Sequence, residues 1–326
     1  MIKHLIPPGT RMAPAAYSPW GHTTMLPDFI EPWDFKGEFD AGIVGVPFNF
    51  HNTFQATSQG PGAIRETFLK FGTRSHDFEV DISDLKVRDI GDIQMHPTEV
   101  LRCHDNIEEG LSDLYKQSPS FVPIVVGGNH AIAAPSIRAF RNGNDYKKVG
   151  LVDFDAHNDL ADPSLSGPTA GTMFRQVIDA GQIEGRNAVQ IGLHGSDASV
   201  VQREYASQVG LREIPAREVW RRGIGQVMDE AMAQAGDGTD AIYVSFDIDA
   251  VEDASVPGTG VPAPGGLTPQ EANEAVYMLG RNRKVMALDL VELDPIKDVK
   301  GITSRMVVML MVSFLVGLSE RRALYG

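Results

Sequence analysis

The chain has 326 residues, 42% of them hydrophobic, and a formal net charge of −14, with an isoelectric point near 5.0. So acidic a surface argues against binding a phosphate backbone, and no nucleic-acid partner is expected. Cys103 is the only cysteine, which excludes an intramolecular disulfide framework, and no Pro/Gly/Ser-rich linker or charge block divides residues 1–326, so one domain is expected.

In chain order, residues 1–8 lack the charged-then-apolar layout of a secretion signal, and the cytoplasm is the expected location. Residues 1–40, with Pro7, Pro8, Pro14, Pro19, Pro27 and Pro32, read as an irregular arm packed on the body or on a neighbouring subunit. Short apolar or β-branched runs then recur at 41–46, 121–126, 149–154, 188–193, 241–246 and 285–291. Helical spacing fills the segments between and after them, at 62–71, 103–115, 133–140, 173–180, 221–235 and 269–280. Strands alternating with helices predict an α/β fold with a mainly parallel sheet covered on both faces. The most apolar stretch, 306–318, is shorter than the roughly 20 residues a membrane span needs. It contains Ser313 and Gly317 and runs into Glu320-Arg321-Arg322, so it reads as a buried C-terminal helix, with no membrane partner.

Polar residues gather where the apolar runs end, which in such sheets is where ligands bind. Gly127-Gly128-Asn129-His130 follows one run; the paired glycines would let the backbone turn tightly and aim His130 into the crevice, although a lone histidine there also serves as a structural hydrogen-bonder. Asp153-Phe-Asp155-Ala-His157-Asn-Asp159 and Ser245-Phe-Asp247-Ile-Asp249 end two more runs with ligand-type side chains at alternate residues. Strand geometry sends alternate residues to one face, and burying unpaired carboxylates is costly unless a cation compensates. Four carboxylates and two imidazoles without thiolates suit hard to borderline ions in a two-metal arrangement. The Pro/Gly-rich residues 257–266 would form a rigid loop over the site.

These motifs, with Glu292-Leu-Asp-Pro295, resemble in order the ureohydrolase family of arginases and agmatinases, from about Ala41 to the C-terminus. The resemblance implies a three-layer α/β/α sandwich and two divalent ions, Mn²⁺ or Ni²⁺. One would be held by His130, Asp155, Asp159 and Asp247, the other by Asp155, His157, Asp247 and Asp249, with Asp155 and Asp247 bridging. It further implies hydrolysis of a guanidino C–N bond by a water activated between the ions, releasing urea or a substituted urea and an amine. Glu292 would accept the N–H fork of a small cationic guanidino substrate, and Asp159 would relay a proton as well as bind metal. Assembly would be a homo- or hetero-oligomer, a trimer or hexamer.

Three departures from the agmatinase pattern bear on substrate. Ala170 stands where a proton-shuttling His precedes Gly-Thr-x-Phe-Arg, and His194 is a candidate to take over part of that role. Asn49, Gln55 and Gln59 replace the usual Asp and Arg after Val46-Pro47, and His51, Asn52 and Phe54 add polar and aromatic surface. Asn49, His51 and Asn158 are therefore candidate substrate contacts, and a compact guanidine or a biguanide such as metformin is the expected substrate. The alternatives are a metal-bound, non-catalytic subunit supporting an active paralogue, which Ala170 motivates, and a mononuclear zinc deacetylase, since deacetylases share the general fold.

Overall fold

The structure is a computed structural model that describes residues 3, 5–6, 24–50, 56–196 and 199–325. Among the described residues ten strands form one sheet: β1 Leu5–Ile6, β2 Glu31–Pro32, β3 Ala41–Val46, β4 Val87–Ile93, β5 Val122–Gly127, β6 Val149–Phe154, β7 Ile183–Leu193, β8 Arg212–Pro215, β9 Ala241–Asp247 and β10 Val285–Val291. The principal helices are α1 Leu26–Phe29, α2 Gly60–Thr67, α3 Val100–Gln117, α4 Ala133–Gly143, α5 Pro163–Ser166, α6 Met173–Asp179, α7 Val200–Val209, α8 Ala216–Arg222, α9 Ile224–Ala235, α10 Pro269–Arg281 and α11 Ile302–Tyr325.

The strand order is β1-β4-β3-β5-β10-β9-β6-β7-β8, with β2 also on β4. Every pairing is parallel except that of β1 with β4. In β3, β5, β6 and β9 every residue is buried, as a strand covered on both faces requires. Alternate residues serve two cores. Ile43, Ile124, Val126, Val152 and Phe154 join one with α9, α10 and α11; Val44, Val125, Leu151 and Tyr243 join the other with α3, α4 and α6. This is the expected α/β sandwich.

Two expectations are modified. The described part of the arm carries short regular pieces, since Leu5 pairs with Ile93, Glu31 with Arg88, and residues 26–29 form a helical turn, while residues 33–40 are in neither helix nor strand. The C-terminal helix is 24 residues long, long enough with its flanking turn to cross a membrane by length and composition, yet 78% of its most apolar window is buried in the protein. Its apolar residues pack with α10 in the same core.

The sheet order positions the site. Four neighbouring central strands, β5, β10, β9 and β6, end respectively just before His130, Glu292, Asp249 and Asp155. Register aligns those ends, with Leu290 opposite Val126 and Phe246, and Phe246 opposite Phe154.

Candidate metal centre

His130 Nδ1 lies 3.1 Å from Asp155 Oδ2, 3.3 Å from Asp159 Oδ2 and 3.3 Å from Asp247 Oδ2. His157 Nδ1 lies 3.3 Å from Asp155 Oδ1 and 3.1 Å from Asp249 Oδ2. Asp155 thus presents one oxygen to each cluster. Adjacent ligands about 2.1 Å from one ion stand roughly 3 Å apart, so both clusters have the spacing of a coordination shell. In the His130 cluster hydrogen bonding does not account for that spacing: His130 Nδ1 and Asp155 Oδ2 are buried and make no hydrogen bond. Oxygen and imidazole donors with orphaned lone pairs turned toward one another fit a pair of divalent cations.

The motifs contain these ligands for a partly different reason from the one strand periodicity suggests. Asp155, His157 and Asp159 follow the end of β6, and Ile248–Ala250 is a 3₁₀ turn, so strand alternation does not aim them. Matching turns do. Asp155 Oδ1 accepts the His157 N–H at 2.6 Å, and Asp247 Oδ1 accepts the Asp249 N–H at 2.9 Å. Across the strands, Asp249 Oδ1 accepts the Ala156 N–H at 3.1 Å. Asp159 and Glu292 have φ of 51° and 64°, a left-handed conformation that costs a non-glycine residue about 1–3 kcal/mol and clusters at functional sites.

Likewise, Gly127 and Gly128 have no positive φ. Close approach requires Gly128: a Cβ there would meet Phe48 O at 2.2 Å. That contact lets the chain leave β5 against the Val46–Phe48 turn, with Asn129 Oδ1 accepting Ala131 N–H and Asn129 Nδ2 donating to Phe50 O. Phe174 packs edge-on to the His130 ring at 5.3 Å.

Crowding of acids dominates the electrostatics. Burial and then the charge of Asp155 push Asp159 up to about 7. Burial likewise lifts Glu292 to about 8, although its Oε1 accepts the His130 N–H at 2.7 Å. Burial and neighbouring carboxylates raise Asp247 and Asp249. Burial pushes Asp155 up as well, but the two imidazoles beside it outweigh burial and hold it at about 2. His157 loses by burial and gains more from Asp155 and Asp249, reaching about 12. Protons occupy, in effect, the positions that cations would take.

The clusters open into a cavity of about 880 Å³, lined by all the candidate ligands except the buried Asp155, together with Asn158 and Glu292. Glu292 Oε2 is buried without a partner. Asn158 Nδ2 donates to Glu213 Oε1 at 2.5 Å. Ala170 lines the cavity, as does His194, but the His194 ring nitrogens face Gly192 O at 2.7 Å and Ala263 O at 3.1 Å. A neutral imidazole has one N–H and so donates to one of these carbonyls at a time; with both nitrogens turned to backbone oxygens, one of them on the 257–266 loop, the His194 ring faces the loop rather than the acid cluster. Asn49 Oδ1 accepts from Thr57 Oγ1 at 3.1 Å, and Asn49 is not among the described cavity-lining residues. His51, like Asn52, Phe54 and Gln55, lies outside the described residues. Sequence reasoning missed the far wall, where Arg203 Nε stands 3.8 Å from Glu213 Oε2; neither residue belongs to a motif.

Comparison with known proteins agrees with the geometry: the arginase family profile matches residues 39–317. The chain belongs to the arginase family. Formimidoylglutamase of Halalkalibacterium halodurans is 34% identical over 297 residues, 91% of this chain and 92% of that protein. The crystal structure of formimidoylglutamase from Bacillus subtilis superposes with a TM-score of 0.89 at 27% identity, covering 95% of this chain and 96% of that one. Oxidized formiminoglutamase of Trypanosoma cruzi, solved with Mn²⁺ at pH 6.0, gives a TM-score of 0.81 at 25% identity over 92% of this chain and 99% of that one. This arginase-family chain is thus a hydrolase of amidino C–N bonds.

Proposed function

We propose that this single-domain hydrolase binds two Mn²⁺ ions and cleaves the amidino C–N bond of a cationic guanidino or formimino compound that carries an acidic tail. The observation that carries the dinuclear reading is Asp155, with one oxygen 3.1 Å from His130 Nδ1 and the other 3.3 Å from His157 Nδ1. His130, Asp155, Asp159 and Asp247 would hold one ion; Asp155, His157, Asp247 and Asp249 would hold the other. The chemistry supplied by such a pair when bound is Lewis acidity, together with a water acidic enough to ionise near neutral pH. Mn²⁺ is preferred over Ni²⁺ because an oxygen-rich donor set suits it.

The chain's own residues do the rest. Glu292 Oε2, buried and unpartnered, is the acceptor for the planar N–H fork of an amidinium, and Oε1 stays fixed by the His130 N–H. Asp159, with one carboxylate oxygen 3.3 Å from His130 Nδ1, stands close enough to the reacting centre to pass a proton to the departing nitrogen. Burial of the cluster excludes bulk water and strengthens each of these interactions.

Arg203 supports the acidic tail. It lines the same cavity as Glu292, and its largely exposed guanidinium is only loosely paired to Glu213, which leaves it free to take a carboxylate. The name formimidoylglutamase, borne by the relatives above, describes such a tailed amidine. A compact guanidine or a biguanide such as metformin is the second reading, favoured by Ala161, Ala170, Leu193 and Val261 on the cavity wall, which suit alkyl groups.

The test is to load metal-free protein with Mn²⁺, Ni²⁺ or Zn²⁺ and assay amine release from formimino acids, guanidino acids, agmatine, guanidine and metformin. Acid-tailed amidines should lead by at least about tenfold in kcat/KM, and Arg203→Ala should remove that lead through KM. A lead for metformin or guanidine would favour the second reading. Two bound ions without turnover of any substrate would move the chain to a supporting subunit, and one Zn²⁺ per chain with amide cleavage would revive the deacetylase.

A further inference from the structure

Beneath the His130 cluster lies a chain of buried polar groups that no step above uses. Tyr243 and Ser245 stand on β9, and Asp289 is paired across the sheet with Ser245 on β10. Tyr243 O–H donates to Asp289 Oδ2 at 2.7 Å, and Ser245 Oγ donates to Oδ1 at 2.7 Å. The Phe246 N–H also points at Oδ1, at 3.3 Å. A backbone N–H can only donate, so Oδ1 is an acceptor there and the one hydroxyl hydrogen of Ser245 is committed to it.

Ser245 Oγ is also 2.9 Å from His130 Nε2. With its hydrogen spent on Asp289, the hydroxyl has only lone pairs to offer, and the hydrogen in this second bond must come from Nε2. The nearest other acid on that side, Asp153 Oδ1, is 3.9 Å away, beyond hydrogen-bond reach. A neutral imidazole carries one N–H; placing it on Nε2 leaves Nδ1 with its lone pair, and Nδ1 faces Asp155, Asp159 and Asp247.

We propose that Asp289, acting through Ser245, locks His130 in the Nε2–H tautomer and so makes Nδ1 available as a metal ligand. Asp289 and Ser245 are positioning residues for the first ion, and Tyr243 steadies the lock from behind. This rests on the dinuclear reading given above. Groups that orient a ligating histidine generally change metal affinity about 10- to 100-fold when removed.

The experiment is a Mn²⁺ titration of metal-free protein followed by electron paramagnetic resonance, which separates a spin-coupled pair from isolated ions, with thermal unfolding of each metal-free variant alongside. The native chain should bind two coupled ions. Ser245→Ala should unfold within a few degrees of it, yet bind one ion about 10- to 100-fold more weakly, replacing the coupled signal by that of an isolated ion over the intermediate range. Ser245→Thr, which keeps the hydroxyl, should restore coupling. Asp289→Asn should be worse than Ser245→Ala, because an amide turned to donate to Ser245 reverses the hydrogen-bond direction and places the imidazole hydrogen on Nδ1. If the native chain takes up fewer than two ions, the dinuclear reading falls and the lock with it. If the native chain and Ser245→Ala both bind two coupled ions with equal affinity, or Ser245→Thr does no better than Ser245→Ala, the lock alone falls.

Discussion

Gly128→Ala couples fold to site in one methyl group. Gly128 N–H donates to Val46 O at 3.0 Å, and Gly128 O accepts the Glu292 N–H at 3.0 Å. The new Cβ would stand 2.2 Å from Phe48 O, 2.6 Å from Phe48 N and 2.8 Å from Val46 O. All three are backbone atoms, so no side chain can swing aside. A relaxed carbon–oxygen contact is about 3.3 Å, so the β5 end and the Val46–Phe48 turn must part by about 1 Å. Overpacking costs about 1–3 kcal/mol and sometimes more. With only backbone to yield, about 3 kcal/mol is the expected minimum, and at about 2 °C per kcal/mol for a chain of this size Tm should fall by at least about 6 °C. The same shift carries His130 and Glu292 away from Asp155 and Asp247, so Mn²⁺ uptake should weaken as well. Gly62→Ala is the control: Gly62 lies in α2, and a methyl added there would have nothing within 4 Å, so alanine should be neutral or stabilising by up to about 1 kcal/mol. Calorimetry of both variants, with and without Mn²⁺, decides the matter. A Gly128→Ala protein with native Tm and native Mn²⁺ affinity would refute the close-approach argument.

Three further outcomes are expected. Asp155→Asn removes a charge shared by both clusters and should lower Mn²⁺ content below one ion per chain; retention of two ions by elemental analysis would exclude the shared-ligand arrangement. Glu292→Gln preserves the acceptor for the His130 N–H but not the charge facing an amidinium, so kcat/KM should drop at least about a hundredfold with metal content unchanged; near-native turnover in a steady-state assay would remove Glu292 from substrate binding. The pH dependence of the metal-free protein has a definite sign. Asp159 and Glu292 sit at about 7 and about 8 when folded, above their unfolded values, and His157 sits at about 12. The folded chain therefore holds more protons than the unfolded one from about pH 4 upward, and its stability should decline with rising pH by up to about 1.4 kcal/mol per pH unit for each such proton. Asp155, held at about 2, acts oppositely only below about pH 4. Mn²⁺ replaces those protons, so loading should release acid and flatten the decline, both measurable by calorimetry in buffers of different ionisation enthalpy; a metal-free stability that rose between pH 5 and 8 would contradict the crowded-acid site.

Much of the fold was legible because uninterrupted apolar runs have few other destinations. The runs at 41–46, 149–154 and 285–291 coincide with β3, β6 and β10. β4 was invisible because Arg88, Asp89 and Asp92 interrupt it. Its acids are neutralised from a distance: Arg65 on α2 grips Asp89 at 2.9 and 3.0 Å and Asp92 at 2.7 Å, a pairing no local pattern reveals. The helix expected over 221–235 breaks at Gly223, where φ is 82° and α8 gives way to α9. At the site, the candidate ligands lie within short motifs, so their clustering could be read directly. Asp289 with Ser245, and Arg203 with Glu213, could not, because each pair meets only once the strands are in register or the helix is docked.

The centre is also where local rules conflict most, and the conflict has a direction. Six carboxyl groups, Asp153, Asp155, Asp159, Asp247, Asp249 and Glu292, are brought together, and burial pushes every one of them toward its protonated form. Two of the six also sit in strained left-handed backbone. The fold answers with N–H groups of His130, Ala156, His157 and Asp249, each aimed at one oxygen and none able to cancel a full charge. Dipoles so placed hold the acids in position without neutralising them, and the remaining compensation must be cationic. On the proposed reading two kinds of cation would meet that need at different places: metal ions between the imidazoles and the aspartates, and an amidinium at Glu292 Oε2, a buried acid oxygen without a partner on a residue that lines the cavity. A neutral amide would satisfy the geometry of Glu292 but leave its charge uncompensated, so the proposed site should favour a protonated amidine over an uncharged isostere.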